Sequence, residues 1–192
     1  MFENNREYCE QRFENINYNN NKILSNVFEE CTFISCNFSE TIFKTCKFRY
    51  CQFINCNLSL ITITSCTFLN ISFKGCKIIG VNWTDAKCIW QPITFLKCNI
   101  SQSNFFGLNL KSISIIESVV RDTDFRECDL NKAILTSNDF KNTVFCNTNL
   151  IKTDFTNSNN YFINLIENKI TGAKFSLPEA ISLLYGIGIK II

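Results

Sequence analysis

Large apolar residues recur at every fifth position through most of this 192-residue chain. The spacing holds without a failure from Phe13 to Trp83, slips by two positions, and resumes from Phe95 to Phe175 with only Asn160 failing. Apolar residues make up 46% of the chain, so chance does not give such a run. Neither the helical period of 3.6 nor the strand period of 2 fits. The spacing predicts a chain that turns a corner every five residues.

The position two before each large residue is usually small, and the position between them is usually polar. Alternating large and small side chains fill a narrow tube without voids, so both positions are predicted to point inward. Stacked coils would then join backbone to backbone, as in other solenoids. Cysteine takes the small position at Cys31, Cys36, Cys46, Cys51, Cys56, Cys66, Cys76, Cys98 and Cys128.

Units such as Cys-Asn-Phe-Ser-Glu (36–40), Cys-Asp-Leu-Asn-Lys (128–132) and Thr-Asp-Phe-Thr-Asn (153–157) resemble the pentapeptide-repeat signature A(D/N)LXX. The resemblance implies an all-β fold, a right-handed quadrilateral β-helix with four pentads per coil. Residues twenty apart would then stack, and the repeats would make about eight coils, or a rod of about 40 Å at about 4.8 Å per coil. The aromatic ladders expected on this basis are Phe28, Phe48 and Phe68; Phe33, Phe53 and Phe73; and Phe105, Phe125 and Phe145.

Breaks in the spacing divide the single domain, residues 1–192, into segments. We expect a first coil segment at 8–83, a register slip at 84–94, a second coil segment at 95–175, and a C-terminal cap and dimerisation segment at 176–192. Pro92 cannot donate a ladder hydrogen bond and therefore suits a bulge or kink within the slip. Asn160 predicts a small loop or irregular coil.

The last segment predicts a short helix followed by a strand. Ser176 and Glu179 form a capping-box pattern, Gly186 can end the helix, and residues 187–192 alternate like a strand. A solenoid must cover its open end, but this segment is more apolar than that purpose needs, so we expect a homodimer through the C-terminal end. The alternative is a cap folded onto the last coil of a monomer. The expected interface residues are Leu177, Ala180, Ile181, Leu183, Leu184, Ile187, Ile189 and Ile191.

Composition argues against enzymatic chemistry. The chain has no His, which removes the commonest general base, the Ser-His and Cys-His nucleophiles and imidazole zinc sites. The inward cysteines are interpreted as small apolar residues, because the pentad spacing would spread them around the tube and not converge them on a metal. We therefore expect no catalytic residue, no cofactor and no metal site. Cys146 falls on an outward position and is the candidate for a reactive thiol.

The polar N-terminus shows no secretory signal, and no apolar run approaches membrane-spanning length. These features favour a cytoplasmic protein with reduced cysteines and no membrane partner.

A narrower resemblance concerns the order of the segments. Two coil segments joined at a slip, then Ile170–Phe175, a short helix and Gly188–Ile191 are similar to the quinolone-resistance (Qnr) proteins and the microcin B17 immunity protein. That resemblance implies a dimeric rod that binds DNA gyrase or topoisomerase IV and resembles duplex DNA in shape and charge.

The charge distribution differs from that of a DNA mimic, which needs a strongly acidic surface. The net charge is +2, and residues 41–121 are strongly basic between more acidic ends. We therefore expect a scaffold or adaptor rod with an unidentified protein partner, the alternative being a topoisomerase-binding protector. Direct nucleic-acid binding is not expected, because the pentad period spreads basic residues over several faces. The candidate partner surface comprises Asp122, Asp124, Glu127, Asp129 and Asp139.

Overall fold

The repeating unit of the fold is a short strand followed by a left-handed corner. In the computed structural model, which describes residues 2–190, the strand Thr32–Ile34 is centred on the buried ring of Phe33. The chain turns two residues after that ring, at Ser35, where φ is 52°. The same positive φ returns at nearly every fifth residue, mostly at residues other than glycine. The corner itself is the turn, which explains why so few Gly and Pro are present.

The strands are short and are named in chain order. They are β1 Glu7–Cys9, β2 Arg12–Glu14, β3 Lys22–Leu24, β4 Val27–Glu29, β5 Thr32–Ile34, β6 Ile42–Lys44, β7 Lys47–Arg49, β8 Gln52–Ile54, β9 Thr62–Thr64, β10 Thr67–Lys74, β11 Cys88–Leu96 and β12 Ser114–Ile116. A 3-10 helix at Trp83–Asp85 precedes β11, and a 3-10 turn at Glu179–Ile181 leads into the α-helix α1, Ser182–Tyr185.

Successive coils pair in parallel with a twenty-residue offset. Strand β4 pairs with β7 so that Phe28 lies beside Phe48, and β5 pairs with β8 so that Phe33 lies beside Phe53. The four-pentad coil expected from the resemblance is therefore confirmed. One column of backbone pairs runs through eight successive coils, at Asn17, Asn37, Asn57, Lys77, Asn99, Val119, Asp139 and Asn159.

The offset grows by two residues between β10 and β11. Thr67 pairs with Cys88, and beyond a bulge Ile71 pairs with Ile93, so the separation rises from 20 to 21 and then to 22. The 3-10 turn at Trp83–Asp85 precedes the first extra residue. Beyond the bulge the columns continue, because Phe95 stacks on Phe73 at 5.0 Å and Phe105 stacks on Trp83 at 5.5 Å.

Aromatic stacking fills the tube along its axis. Phe28 and Phe48 lie 5.1 Å apart and nearly parallel, Phe33 and Phe53 lie 4.7 Å apart, and the ladders at Phe73 and at Phe105 to Phe145 repeat this geometry. The ladders expected from the resemblance are confirmed. Full burial of each ring contributes about 1.5–3 kcal/mol, so these ladders are the main source of cohesion between coils.

Cysteine and other small residues fill the second inward position. All nine cysteines predicted to point inward are buried, and Cys46 Sγ donates to the Ile23 carbonyl at 3.2 Å. Asparagine takes this position as well, which the sequence pattern does not indicate. Asn138 is 1% exposed; its Nδ2 donates to the Ile115 carbonyl at 2.7 Å and its Oδ1 accepts from the Ser118 N–H at 2.9 Å.

An aromatic plug closes the N-terminal end of the tube. Phe2 lies outside the repeat, yet its ring is buried, 5.0 Å from the Phe13 ring and 5.3 Å from the Tyr18 ring. It also meets Phe28 edge-on at 5.7 Å. The open first coil is therefore covered by a single side chain.

The last coil is irregular, as the failure at Asn160 predicts. Asn160 is exposed with a φ of 58°, and the neighbouring Tyr161 takes the inward place and is buried. Ile163 then bridges Phe145, an offset of 18 in place of 20. Phe175 still stacks on Phe155 at 5.2 Å, which ends the aromatic ladder.

The C-terminal segment differs from its expected form. Ser176 does not cap a helix, because helical structure begins at Glu179 and α1 carries no side-chain cap. The helix does not end through a left-handed Gly186, whose φ is −62°; Gly188 takes that conformation at 81°, and the Ile189 N–H bonds to the Leu184 carbonyl at 3.0 Å. Described residues 187–190 form a turn and irregular chain, so the expected strand is wrong there. Ile191 and Ile192 lie outside the described residues.

Candidate interaction surfaces

The solenoid presents four faces, each named after one inward residue. The Phe48 face consists of the outward-pointing residues on either side of one column of inward residues. That column comprises Tyr8, Phe28, Phe48, Phe68, Ile89, Leu110, Leu130, Leu150 and Ile170. The Phe53, Leu58 and Ile63 faces follow in chain order around each coil. Any residue can therefore be placed on a face from its column.

The five candidate acidic residues lie on three faces. Asp124 and Glu127 belong to the Ile63 face, Asp129 to the Phe48 face, and Asp122 and Asp139 to the Leu58 face. The fold therefore does not bring all five together into one patch.

Three of these carboxylates form ion pairs within the chain. Asp124 meets Arg126 at 2.7 Å, Asp129 meets Lys111 at 3.2 Å, and Asp139 accepts from Arg121 Nε at 2.7 Å. Partial burial opposes ionisation of Asp139, but hydrogen bonds from Asn160 and Arg121 outweigh it and lower the pKa. Their charge is largely neutralised locally, which weakens any long-range acidic field.

The candidate interface at the C-terminal end is an exposed apolar surface. Leu177 is 79% exposed, Leu183 packs against the core, and Ala180 is half-buried. Ile191 lies outside the described residues. The term cap surface refers below to the exposed members together with Tyr185, which the sequence pattern does not indicate. The cap surface comprises Leu177, Ile181, Leu184, Tyr185, Ile187 and Ile189.

Further exposed apolar side chains lie on the C-terminal half of the Ile63 face. Phe162 is 62% exposed and Ile166 is 82% exposed, and Val144 lines a cleft of about 350 Å³ beside Phe162. Gly186 permits the cap to approach this region, because a Cβ there would lie 2.9 Å from the Ile163 carbonyl. The five-residue spacing does not single out Phe162 and Ile166, since they fall within the irregular coil.

Two clefts share residues on the Phe48 face, where the offset changes. One, of about 420 Å³, is lined by residues including Lys47, Tyr50 and Leu69. The other, of about 520 Å³, lies between Ile89 and Leu108. Both are bordered by Lys87 and Cys88, so they form one shallow groove along the middle of this face.

The outward thiols of Cys9 and Cys146 are not activated. Cys146 is only partly exposed, and a hydrogen bond to Glu167 together with burial raises its pKa. Cys9 is the most exposed thiol, and desolvation and nearby carboxylates raise its pKa. A reactive thiolate needs a lowered pKa, so the prediction of a reactive Cys146 is not supported. Among residues 2–190 no group of three or more acidic, Cys or His side chains is placed to hold a metal ion.

A four-sided β-solenoid with a stacked aromatic interior and cysteine at its small positions defines the class of this protein. Two family models match: one described as a pentapeptide repeat region over residues 26–105, and one described as pentapeptide repeats (8 copies) over residues 123–159. Together they cover more than half of the chain, and it belongs to the pentapeptide-repeat family. No curated protein matches it significantly.

Solved structures with the same fold are distant in sequence. QnrB1, described as a plasmid-mediated fluoroquinolone resistance protein, superposes in a trypsin-treated form with a TM-score of 0.61 at 20% identity, covering 97% of this chain and 100% of that one. HetL from the cyanobacterium Nostoc sp. strain PCC 7120, a pentapeptide repeat protein involved in heterocyst differentiation regulation, gives a TM-score of 0.63 at 11% identity, covering 88% and 85%. At these identities the likeness extends to the fold alone.

None of the helices within residues 2–190 is long and apolar enough to cross a bilayer.

Proposed function

We propose that this protein is a non-enzymatic interaction scaffold of the cytoplasm, a rigid rod that offers flat faces to a protein partner and pairs with a second copy through its cap surface. The observation that carries the proposal is the cap surface itself. A cap that served only to close the tube would bury its apolar side chains on the last coil, but Leu177, Tyr185 and Ile189 remain about half exposed or more. Contiguous apolar exposure of this kind marks a protein contact.

Geometry supports a two-fold arrangement. The exposed members lie on the 3-10 turn, α1 and the Gly188 turn at one end of the rod, so the same patch on two copies can meet end to end. Such pairing would leave the four faces of both rods accessible to a partner.

The dimer is tested by sedimentation and light scattering of the full chain, whose mass is 22.2 kDa. We expect the mass of two chains for the wild type and of one chain for Ile181→Asp/Leu184→Asp. The matched control is Leu60→Asp, which alters an exposed leucine on another surface, 57% exposed. A monomeric wild type at all attainable concentrations would remove the dimer from the proposal.

A second candidate function is topoisomerase protection, as the resemblance to the Qnr proteins implies. Its support is that the likeness in fold to QnrB1 covers 100% of that chain and 97% of this one. A gyrase supercoiling assay with and without ciprofloxacin tests it. Rescue of supercoiling by the wild type and its loss in Asp122→Asn/Glu127→Gln would favour the protector. If excess protein neither inhibits supercoiling by gyrase nor rescues it from ciprofloxacin, the scaffold remains as the proposed function.

A further inference from the structure

The Phe48 face carries a strong excess of positive charge over most of its length. From the coil of Lys47 to the coil of Lys169, one acidic residue, Asp129, stands against many basic ones. The neighbouring Ile63 face has the opposite balance over the same coils, with Asp85, Asp124, Glu127 and Glu167 against Arg126. The basic residues of the Phe48 face are Lys47, Arg49, Lys87, Lys111, Lys132, Lys152 and Lys169.

Most of these cations are not neutralised. Arg49 lies 3.7 Å from Glu29 and Lys111 lies 3.2 Å from Asp129. The other five have no ion pair within the part of the chain that the structure describes, and all five are exposed. These five residues, called the lysine row below, are Lys47, Lys87, Lys132, Lys152 and Lys169.

The lysine row extends along the rod and is spread across the width of the Phe48 face. The columns of the Phe48 face place it along seven successive coils, which at about 4.8 Å per coil spans about 29 Å. Its width is that of a three-residue strand such as β7 and the corner beside it. The acidic Ile63 face lies along one side, so the excess of positive charge ends at that edge.

The groove described above lies within this row. Lys47 and Lys87 line it, as do Arg49 and Glu29, which lie 3.7 Å apart. Tyr50, with 48% of its surface exposed, and Leu69 line it as well. An apolar floor with an exposed aromatic ring between cations is the combination that receives nucleobases next to a phosphate backbone.

We propose that the Phe48 face binds single-stranded nucleic acid along its length, with the lysine row contacting phosphates and the groove receiving bases. A flat anionic membrane fits less well, because it can contact the lysine row but does not fill the groove beside Tyr50. An acidic peptide fits less well, because peptides gain affinity from main-chain hydrogen bonds at a sheet edge. The strand backbone here is already paired between coils. With no recognition helix, binding is expected to be independent of sequence.

The test is fluorescence anisotropy of the full-length protein with labelled oligothymidylate and oligouridylate of about fifteen nucleotides, at several salt concentrations. Five phosphate contacts predict a slope of log affinity against log salt of about −3.5. The variant Lys87→Gln/Lys132→Gln/Lys152→Gln should lose about tenfold or more in affinity at low salt, and its slope should fall to about −1.4. The two oligonucleotides distinguish DNA from RNA as the ligand.

The matched control is Lys44→Gln/Lys74→Gln/Lys141→Gln, which removes the same charge from exposed positions on the other faces. It should retain affinity within about twofold and keep the full slope. The proposal is overturned if the wild type does not bind at low salt or if the two triple variants weaken binding equally. It also fails if duplex DNA, polyglutamate or anionic vesicles bind as tightly as the single strands.

Discussion

The Glu179 carboxylate accepts a hydrogen bond from the backbone N–H of Asn160 at 2.7 Å. In the same way Ser176 Oγ accepts from the Asn157 N–H at 2.9 Å. The two side chains that resemble a helix capping box therefore cap the edge of the last coil. Unpaired N–H groups at a solenoid end otherwise offer a template for strand addition, so this pair of bonds protects the end of the rod.

Replacing Glu179 by Ala should open the end of the last coil. The N–H of Asn160 loses its acceptor, and we expect its hydrogen exchange to accelerate by about tenfold, as for a hydrogen bond contributing about 1.5 kcal/mol. Hydrogen-exchange mass spectrometry of the peptide around residues 155–165 measures this. Glu167→Ala, on the same coil, should leave the exchange of Asn160 unchanged, and equal acceleration in both variants would contradict the assignment.

Phe2 should be essential to the first coils although it lies outside the repeat. Phe2→Ala removes a buried ring from six aromatic neighbours, so we expect a loss of about 3 kcal/mol in unfolding free energy. Urea unfolding measures it, and tryptic cleavage after Arg12 should accelerate. Phe162→Ala, which truncates a ring that is 62% exposed, is the control and should cost less than about 0.5 kcal/mol. Equal losses would contradict the plug.

Substitution of Asn138 should reduce the free energy of unfolding more than the small size of its side chain suggests. Asn138→Ala leaves the Ser118 N–H and the Ile115 carbonyl buried without partners, which predicts a loss of about 2–4 kcal/mol in urea unfolding. The exposed Asn142, whose Nδ2 donates to Asp122, provides the control. Because its φ is 60°, Asn142→Gly removes the side chain without straining the backbone and should lose less than about 1 kcal/mol; a similar loss at both sites would mean that the buried bonds contribute little.

Thiol labelling should separate the cysteines into two groups. Burial raises the pKa of Cys128 to about 12, so this thiol stays protonated and inaccessible at neutral pH. Cys9, Cys88 and Cys146 should react in the native protein, Cys9 and Cys146 slowly because their pKa is raised, and the nine inward cysteines only after denaturation. Ellman's reagent counts both groups. The triple serine variant of the three outward cysteines should show no native reaction, and rapid native labelling beyond three thiols would contradict the burial.

Acid should weaken the native state through Asp139. Its pKa is lowered in the folded protein, so its contribution is complete above the unfolded value of about 3.9 and is lost as pH falls through the lower folded value. Asp139→Asn should lose less than about 1 kcal/mol at pH 7, because solvent screens the pair with Arg121. Its thermal midpoint should also fall less than that of the wild type between pH 5 and pH 2. Glu10→Gln, at an exposed position, is the control, and parallel midpoint curves for wild type and Asp139→Asn would contradict the assignment.

Five-residue spacing alone predicts which residues point inward, because each inward position depends only on its place in the pentad. Together with the four-pentad coil that the resemblance implies, it assigns Phe33 and Phe53 to one column. It does not locate Phe2, since that side chain reaches the tube from outside the repeat. The end of the rod is predicted less well. Ser176 and Glu179 match the pattern of a helix capping box, but they accept hydrogen bonds from N–H groups of the last coil and not from N–H groups of a helix.

The distribution of charge over the four faces is the property that is hardest to predict from the linear sequence. Lys47 and Lys132 lie far apart along the chain yet share a face, and placing them together requires both the twenty-residue coil and the two-residue gain at β11. Asp124 and Asp129 are close in sequence yet lie on different faces, and each is paired with a basic side chain. The charge of a surface in this fold therefore depends on the column of each residue and not on its segment.

The two extra residues at β11 leave the columns above and below them aligned. The chain thus treats one complete circuit as an interchangeable module: Phe2 closes one end and the last turn closes the other, whatever number of circuits lies between. Duplication or loss of twenty residues in the interior would lengthen or shorten the rod while preserving both closures. Rod length, and with it the reach of each face, can therefore change in evolution in discrete steps without redesign of the core.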